Sequence, residues 1–477
     1  MKYGDSHDHS KPGTARIIPS ARSHGMSSTE QADICIIGAG VAGLRAAQRL
    51  SARGLIVRVL EARDRVGGRT AGGTLCGEAV DLGGQWLGIG QTRALALCEE
   101  LGLGTYEQHA DGKRLLDIGG RVRGYRGTIP PMSPLGLLDA AQIMWRLDRA
   151  AKGIDPAAPW TSPGAADWDR MSVDQWLRRN LYTRGARSVM EIVARSLYTS
   201  ESHEVSMLCL LSYVASAGSL ESQVETRGDG AQRFKVHGGA FQLAQRLAEQ
   251  LPQGVLTLEA PVHAVEQSDT GVTVRHARGE VRAGRLIVAL APALAARIDF
   301  QPALPAARLQ LQTRMPMGSV IKALVAYERP FWREDGWSGE AISDQLPFGP
   351  IADATPPGSR HGFLVGFFAG DAGRALAGAS EETRRDAAVQ SLQRCFGARA
   401  ATPIGYVDKD WMSEPWSLGG YAGITAPGTL TAFGPALREP CGRIHWAGTE
   451  TATRWAGYID GAISSGERVA DEVLSRG

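Results

Sequence analysis

The residues that could do chemistry begin with a glycine-rich turn and an acidic residue about 20 positions later. The turn, Gly38-Ala39-Gly40-Val41-Ala42-Gly43, directly follows a short apolar run from Asp33 to Ile37. Amides at such a turn, and the positive end of the helix that it opens, bind a pyrophosphate. Glu61 ends the next apolar run, where a carboxylate accepts hydrogen bonds from ribose hydroxyls. The spacing predicts a dinucleotide site; the alternative is a turn that only packs a helix against a strand.

Lys322 is a second candidate, because it lies within the apolar run from Val320 to Val325. It is the only lysine between Val236 and Asp408. An amine at such a position loses solvation unless a polar partner compensates it. Either the stem covers apolar surface while the amine reaches water, or the amine works in a buried site. The sequence pattern alone leaves both interpretations open.

A parallel strand, helix and strand must position the glycine-rich turn. The run ending at Ile37 predicts the first strand, the stretch to about residue 52 a helix, and residues 55–60 the next strand. Strand patterns return at residues 255–258, 272–274 and 286–289, and from Arg443 the chain reads strand, glycine turn and helix. Residues 106–233 read as mostly helical, and residues 381–395 predict a further helix.

The length of 477 residues favours two domains, each built from discontinuous pieces. The nucleotide-binding domain is predicted to comprise residues 32–106, 237–311 and 414–477. The substrate-binding domain is predicted to comprise residues 107–236 and 312–413. Residues 1–31 show no periodicity and predict a mobile tail.

Composition argues against nucleic-acid and metal partners. A formal net charge of +2 is too small to gather nucleic acid. The six cysteines show neither a CxxC pair nor ligand-like spacing, so we expect no metal site, no disulfide framework and a reducing compartment. No apolar run approaches the roughly 20 residues that span a bilayer, and no secretory signal opens the chain. We expect a cytoplasmic protein with a small-molecule partner and no membrane attachment.

Several motifs resemble the flavin amine oxidase family, and most closely its monoamine oxidase branch. Two form a paired signature, Glu61-Ala-Arg-Asp-Arg-Val-Gly-Gly-Arg-Thr70 and Asp81-Leu-Gly-Gly-Gln-Trp86. Others follow in order: Ser202-His-Glu-Val-Ser206, Gly318-Ser-Val-Ile-Lys322, Pro330-Phe-Trp-Arg333 and Gly448-Thr-Glu-Thr-Ala-Thr453. The resemblance covers residues 33–475. It implies an α/β fold in which a Rossmann-like FAD-binding domain is interleaved with a mixed α+β substrate domain, of the p-hydroxybenzoate hydroxylase and monoamine oxidase type.

The resemblance also implies which residues bind FAD. They are Gly38, Gly40, Val41, Ala42, Gly43, Glu61, Arg63, Arg69, Gly84, Gln85, Val262, Trp411, Glu450 and Ile459. Val262 is placed at the adenine, Trp411 beside the flavin, and Glu450 and Ile459 near the ribityl chain and ring. Mammalian relatives carry a cysteine where this chain has Gly420, so FAD is expected to be noncovalent.

The implied catalytic residues are Lys322, Tyr421, Tyr458 and Gln232. The two tyrosines match the aromatic walls that flank the flavin in monoamine oxidases and steer a neutral amine. The matching lysine contacts flavin N5 through water and is thought to help oxygen react. Gln232 is placed in the substrate cavity, although a glutamine after Gly230-Ala231 is also typical of a turn.

The implied reaction converts a small primary amine to an imine, which hydrolyses to an aldehyde or ketone and ammonia, while O2 becomes hydrogen peroxide. Because only the neutral amine reacts, activity is expected to rise toward alkaline pH. Gly420 and an ending without an anchor helix point to the bacterial soluble branch, which includes cyclohexylamine and putrescine oxidases. A homodimer is expected by analogy with the family.

Other substrates and roles stay open at this stage. Glu225 falls near the gating residues of the family, where it would meet the distal cation of a diamine, or it is a solvated surface residue. An L-amino-acid oxidase would need a cationic clamp, for which Arg195 and Arg227 are candidates. An alkaloid oxidase, a dehydrogenase with a protein acceptor and a flavin protein without turnover are further alternatives.

Overall fold

The computed structural model describes residues 29–127 and 130–475, so most of the predicted tail lies outside the described residues. The strands are β1 Thr29–Ile37, β2 Val57–Leu60, β3 Gly72–Leu75, β4 Glu78–Asp81, β5 Trp86–Leu87, β6 Thr105–Glu107, β7 Lys113–Ile118, β8 Arg121–Tyr125, β9 Phe234–Val236, β10 Leu256–Thr257, β11 Val262–Gln267, β12 Val272–His276, β13 Gly279–Val288, β14 Asp299–Gln301, β15 Val320–Tyr327, β16 Trp337–Ser343, β17 Ala352–Asp353, β18 Gly362–Ala369, β19 Gly405–Asp410 and β20 Ile444–Trp446.

The helices are mostly short and follow the strands in several groups. They are α1 Val41–Ser51, α2 Thr92–Glu100, α3 Pro134–Ala151, α4 Ala165–Asp169, α5 Val173–Asn180, α6 Arg184–Tyr198, α7 Met207–Ala217, α8 Leu220–Val224, α9 Gln242–Glu249, α10 Pro292–Ala295, α11 Ala306–Thr313, α12 Phe331–Glu334, α13 Asp371–Leu376, α14 Glu381–Phe396, α15 Thr429–Phe433 and α16 Ile459–Ser475. No helix among the described residues is both long and apolar enough to cross a membrane.

The largest sheet carries the glycine-rich turn. Its strands run in the order β10-β2-β1-β13-β12-β11-β14, and β20 also pairs with β13. One edge of β13 pairs with β1, while the other pairs first with β12 and then with β20. All of these strands come from the three segments predicted for nucleotide binding, although β1 begins three residues earlier. The domain boundaries themselves stay a prediction.

The first strand and helix form because both are apolar on the faces that they bury. Cys35 and Ile36 point to opposite faces of β1 and are both fully buried, as expected for a parallel sheet that is covered on both sides. Leu44 and Leu50 of α1 pack in the same core as α16. Gly43 lets the start of α1 approach the preceding turn closely, because a Cβ there would lie 2.0 Å from the Gly38 carbonyl oxygen.

Helices α3 to α8 share a second apolar core, and a separate antiparallel sheet of order β17-β18-β15-β19 packs against α13 and α14. Every residue of β15 is buried, which places Lys322 in the middle of an apolar strand. The prediction that residues 106–233 are mostly helical is wrong at its start, where β7 and β8 form an antiparallel pair. The reason is the Gly119-Gly120 turn, whose positive φ angles of 59° and 76° suit a two-residue hairpin.

Candidate active site

The glycine-rich turn lies between the end of β1 and the start of α1, and Glu61 is hydrogen-bonded to it. Glu61 follows β2, is 3% exposed, and accepts a hydrogen bond of 2.8 Å from the Ala39 amide and one of 3.1 Å from the Arg63 amide. The turn and the acidic residue therefore form one unit, although the sequence separates them. Nothing lies within 4 Å of a Cβ built on Gly40, so the start of the helix is open to a ligand.

Two arginines link this unit to the C-terminal part of the chain. The Arg63 guanidinium donates to Ser417 Oγ at 2.8 Å. Arg69 forms a bidentate ion pair with Glu450 and also donates to the Tyr421 carbonyl oxygen at 2.9 Å. Burial disfavours the Glu450 carboxylate, but the Arg69 charge and the Gly423 amide outweigh it and lower the pKa of Glu450. Arg69 and Glu450 thus hold the backbone of the segment that carries Tyr421.

Lys322 is buried and bonded inside the protein, so its amine does not reach bulk water. The side chain is almost fully enclosed, and Nζ donates to the Gly83 carbonyl oxygen at 2.8 Å and to Gln85 Oε1 at 2.5 Å. Burial lowers the pKa of Lys322 to about 7, against the opposing effect of Asp81. The buried amine is therefore easier to deprotonate than an exposed lysine.

Tyr421 and Tyr458 pack against different aromatic residues. The Tyr421 ring meets Phe367 edge-on at 5.7 Å between centroids. The Tyr458 ring stacks on Tyr213 at 5.7 Å and meets Trp455 edge-on at 5.2 Å. Burial raises the pKa of both phenols, so they stay protonated at neutral pH. Tyr213, on α7, was not among the predicted site residues, because one tyrosine in an apolar helix gives no signal in the sequence.

A charged cluster also faces the site. Arg114 binds both carboxylate oxygens of Glu225 at 2.8 Å and donates through Nε to Glu340 at 2.8 Å. Glu225 is 8% exposed, so its interpretation as a solvated surface residue is wrong. Gln232 joins this region through its backbone N–H, which donates to the Glu225 carbonyl oxygen at 3.2 Å. Two carboxylates therefore share one guanidinium.

One continuous cavity brings together nearly all of the predicted site residues. Those that line it are Gly38, Gly40, Val41, Ala42, Glu61, Arg63, Arg69, Gly84, Gln85, Gln232, Lys322, Trp411, Tyr421, Tyr458 and Ile459. Gly43 lies behind the turn, Glu450 behind Arg69, and Val262 at the start of β11, and none of the three lines the cavity. Arg195, which pairs with Glu201, and Arg227 are likewise absent from its walls.

A family model described as "Flavin containing amine oxidoreductase" matches residues 41–474. The chain belongs to this family. This amine oxidoreductase is 42% identical over 443 residues to AofH of Mycobacterium tuberculosis, which its name assigns to the flavin-containing monoamine oxidases; the match covers 93% of this chain and 96% of AofH. Both the resemblance and the fold class predicted from the sequence are confirmed.

Solved structures of two oxidases share this fold. A putrescine oxidase, in its wild-type form bound to putrescine, is 34% identical, with a TM-score of 0.90 and coverage of 94% of this chain and 100% of that chain. Cyclohexylamine oxidase from Brevibacterium oxydans is 33% identical, with a TM-score of 0.89 and coverage of 93% and 99%. The cavity of this chain therefore lies in a backbone fold that enzymes named for amines share.

The residues of the amine oxidoreductase fit a flavin cofactor. Gln85 lines the cavity with Nε2 buried and without a hydrogen-bond partner in the protein, although its Oε1 holds Lys322. A buried amide donor of this kind normally has a partner, which a flavin would supply. The open helix start at Gly40 suits the pyrophosphate. Among the described residues there is no cluster of three or more metal-ligating side chains.

Proposed function

We propose that the chain binds FAD noncovalently and oxidises a small primary amine to an imine, with O2 as the electron acceptor. The observation that carries the proposal is the single cavity, which has the glycine-rich turn and Glu61 in one part of its wall and Lys322, Tyr421 and Tyr458 in another. A dinucleotide would occupy both parts. The first part would accept its phosphates and ribose, and the second would enclose its ring.

Noncovalent binding is supported by the chemistry of the cavity wall. None of the described residues that line it is a cysteine, and Gly420 precedes Tyr421. Arg63, Arg69 and the amides after Gly38 would hold the nucleotide half. Gln85, Trp411 and Ile459 would hold the ring. When bound, FAD accepts a hydride equivalent from the amine and passes the electrons to O2.

The tyrosines and Lys322 have separate tasks in this proposal. Tyr421 and Tyr458 bind the amine between electron-rich faces and exclude water from the nitrogen. Because both phenols stay protonated, neither ring adds a negative charge that would favour the ammonium form. Lys322 Nζ, bonded to Gly83 and Gln85, is positioned to hold or release a proton near pH 7. The released imine hydrolyses to a carbonyl compound and ammonia.

A diamine is the second candidate substrate, and the charged cluster favours it. Arg114 neutralises one of the two carboxylates of Glu225 and Glu340, so this cluster carries one negative charge in its part of the cavity wall. A distal ammonium group would balance this charge. The similarity to a putrescine oxidase also supports this candidate. An L-amino-acid substrate has no such support, because Arg114 already holds two carboxylates.

Two measurements on one preparation test the proposal. Acid precipitation of the yellow protein should release all the flavin, and chromatography should identify it as FAD; flavin that stays with the precipitate contradicts noncovalent binding. Peroxide formation should then appear with cyclohexylamine, benzylamine or putrescine. Peroxide with L-leucine or L-phenylalanine only contradicts a small primary amine as the substrate. A rate that is flat from about pH 6 to 9 contradicts the use of a neutral amine.

A further inference from the structure

Three of the four most exposed large apolar side chains of the described residues lie on α3, and the fourth lies on a segment that is hydrogen-bonded to α3. They are Leu135, Leu138 and Trp145 on α3, with exposures of 71%, 68% and 61%, and Tyr182 just before α6, with 84%. On α3 they are spaced three and seven residues apart, so they share one side of the helix. Scattered exposed apolar residues are ordinary, but a contiguous group marks an interaction surface.

Hydrogen bonds join α3 to the segment that carries Tyr182, so this segment lies against the helix. Asp139 of α3 accepts hydrogen bonds from the amides of Tyr182 and Thr183 at 2.9 and 2.7 Å. Gln142 donates to the Asn180 carbonyl oxygen at 2.8 Å. We call the surface formed by Leu135, Leu138, Trp145 and Tyr182 the α3 face.

The two segments that form the α3 face carry an excess of positive charge. Residues 134–149 and 178–184 contain five arginines: Arg146, Arg149, Arg178, Arg179 and Arg184. Arg149 lies over the Trp145 ring at 5.4 Å. Of the five, Arg178 pairs with Asp174, and no ion pair joins the other four to any described residue.

The acidic residues of the same two ranges do not balance these arginines. Asp139 is 5% exposed and bonded to the backbone, and Asp148 accepts from the Leu220 amide. The α3 face therefore combines exposed Leu, Trp and Tyr with an excess of guanidinium groups. This is the composition of surfaces that lie in the headgroup region of a bilayer.

We infer that the α3 face docks reversibly on an anionic phospholipid surface. A second copy of the chain is the less suitable occupant, because a two-fold contact would place the same arginines opposite each other. An anionic bilayer instead accepts the apolar side chains and neutralises the arginines. The inference goes beyond amine oxidation and does not depend on it. The sequence-based expectation of no membrane attachment considered only a spanning segment.

The docking face borders the cavity. Pro130, four residues before α3, lines the cavity, and so do Val189 and Ile192 of α6, the helix that follows Tyr182. Docking would bring this wall of the cavity close to the bilayer. Apolar amines concentrate there, so the surface would also raise the local concentration of such a substrate.

Sedimentation with vesicles tests the inference on the full flavin-loaded chain. Wild-type protein should sediment at low salt with vesicles of phosphatidylcholine and phosphatidylglycerol, much less with phosphatidylcholine alone, and progressively less as salt rises. Leu138→Ser combined with Trp145→Ser should lower the partition coefficient at least about tenfold. Arg149→Gln alone should lower it about fivefold.

Matched controls replace residues of the same types elsewhere. Ile56 is 54% exposed and lies outside the α3 face, and Arg53 is exposed, so Ile56→Ser and Arg53→Gln should bind vesicles like the wild type. Turnover of an amine in vesicle-free solution verifies that each variant is folded. The inference is overturned if wild-type protein does not sediment with the anionic vesicles, or if the double variant binds as well as the wild type. It is also overturned if light scattering shows a dimer that the double variant dissociates, which would assign the face to a second copy.

Discussion

Replacing Glu450 by glutamine should destabilise the fold and weaken catalysis together. The Glu450 side chain is 1% exposed and pairs with Arg69, which is 27% exposed and holds the Tyr421 carbonyl oxygen. Glutamine keeps an acceptor for the Gly423 amide, whose hydrogen bond to Glu450 is 3.1 Å long, but it removes the charge that Arg69 requires. The substitution therefore tests the ion pair rather than the space that the side chain fills.

The expected loss follows from the burial of the two partners. Breaking a buried ion pair by removing one charge costs about 3 to 5 kcal/mol. Arg69 keeps some access to water, so we expect the lower end, about 3 kcal/mol of unfolding free energy at pH 7. Because Tyr421 then loses its fixed position, kcat/KM for the amine should fall at least about tenfold.

The assay is urea unfolding of the variant and wild type in excess FAD, followed by near-ultraviolet circular dichroism. The control is Glu334→Gln, whose partner Arg399 lies at 2.7 Å on the surface and whose unfolding midpoint should match the wild type. Since the pKa of Glu450 is lowered in the folded state, its contribution is present above the ordinary value of 4.5. The contribution is lost as pH falls through the folded value, so the difference between the two proteins should narrow below pH 4.5. An unchanged midpoint at pH 7 would refute the reasoning.

Three further substitutions test other parts of the site. Gly43→Ala should abolish flavin binding, seen as loss of the absorbance ratio of flavin to protein, because its Cβ would lie 2.0 Å from the Gly38 carbonyl oxygen. Lys322→Met should be more stable than the wild type at pH 7. Its advantage in the free energy of urea unfolding should shrink by about 1.4 kcal/mol per pH unit toward pH 10. The reason is that folding of the wild type removes the proton of the lysine, and this costs less free energy as pH rises. Equal pH dependence of the two proteins would contradict the lowered pKa. Glu340→Gln should lower the ratio of kcat/KM for putrescine to that for butylamine, and an unaltered ratio would remove the diamine candidate.

The parts of the fold that could be predicted are those set by residues close together in the sequence. The β1-α1-β2 unit, helix α14 and the final helix α16 follow apolar periodicity and turn residues, and they occur within a few residues of their predicted bounds. The hairpin of β7 and β8 was missed, although Gly119-Gly120 is a recognisable turn signal. Aromatic residues further along the same stretch drew the prediction toward helix.

The site was predictable only where a motif carried it. Lys322, Tyr421 and Tyr458 stand in motifs, and the structure places all three on one cavity. Because Arg114 and Glu225 are 111 positions apart in the sequence, no local pattern predicts that they pair. Their contact arises because β7 and the segment after α8 meet in the folded chain. The roles of the individual site residues stay predictions.

The central strand of the large sheet has a consequence for how the chain is made. Ile34 pairs with Arg285, and Leu286 pairs with Ile444, so spatial neighbours are synthesised far apart in time. β1 leaves the ribosome long before its partner β13 exists, and β20 joins the sheet only after more than 150 further residues. Contacts of this separation make folding slow and leave apolar strands exposed to other nascent chains. Yield in a host cell should therefore depend on chaperone supply and growth temperature more than on the final stability of the enzyme.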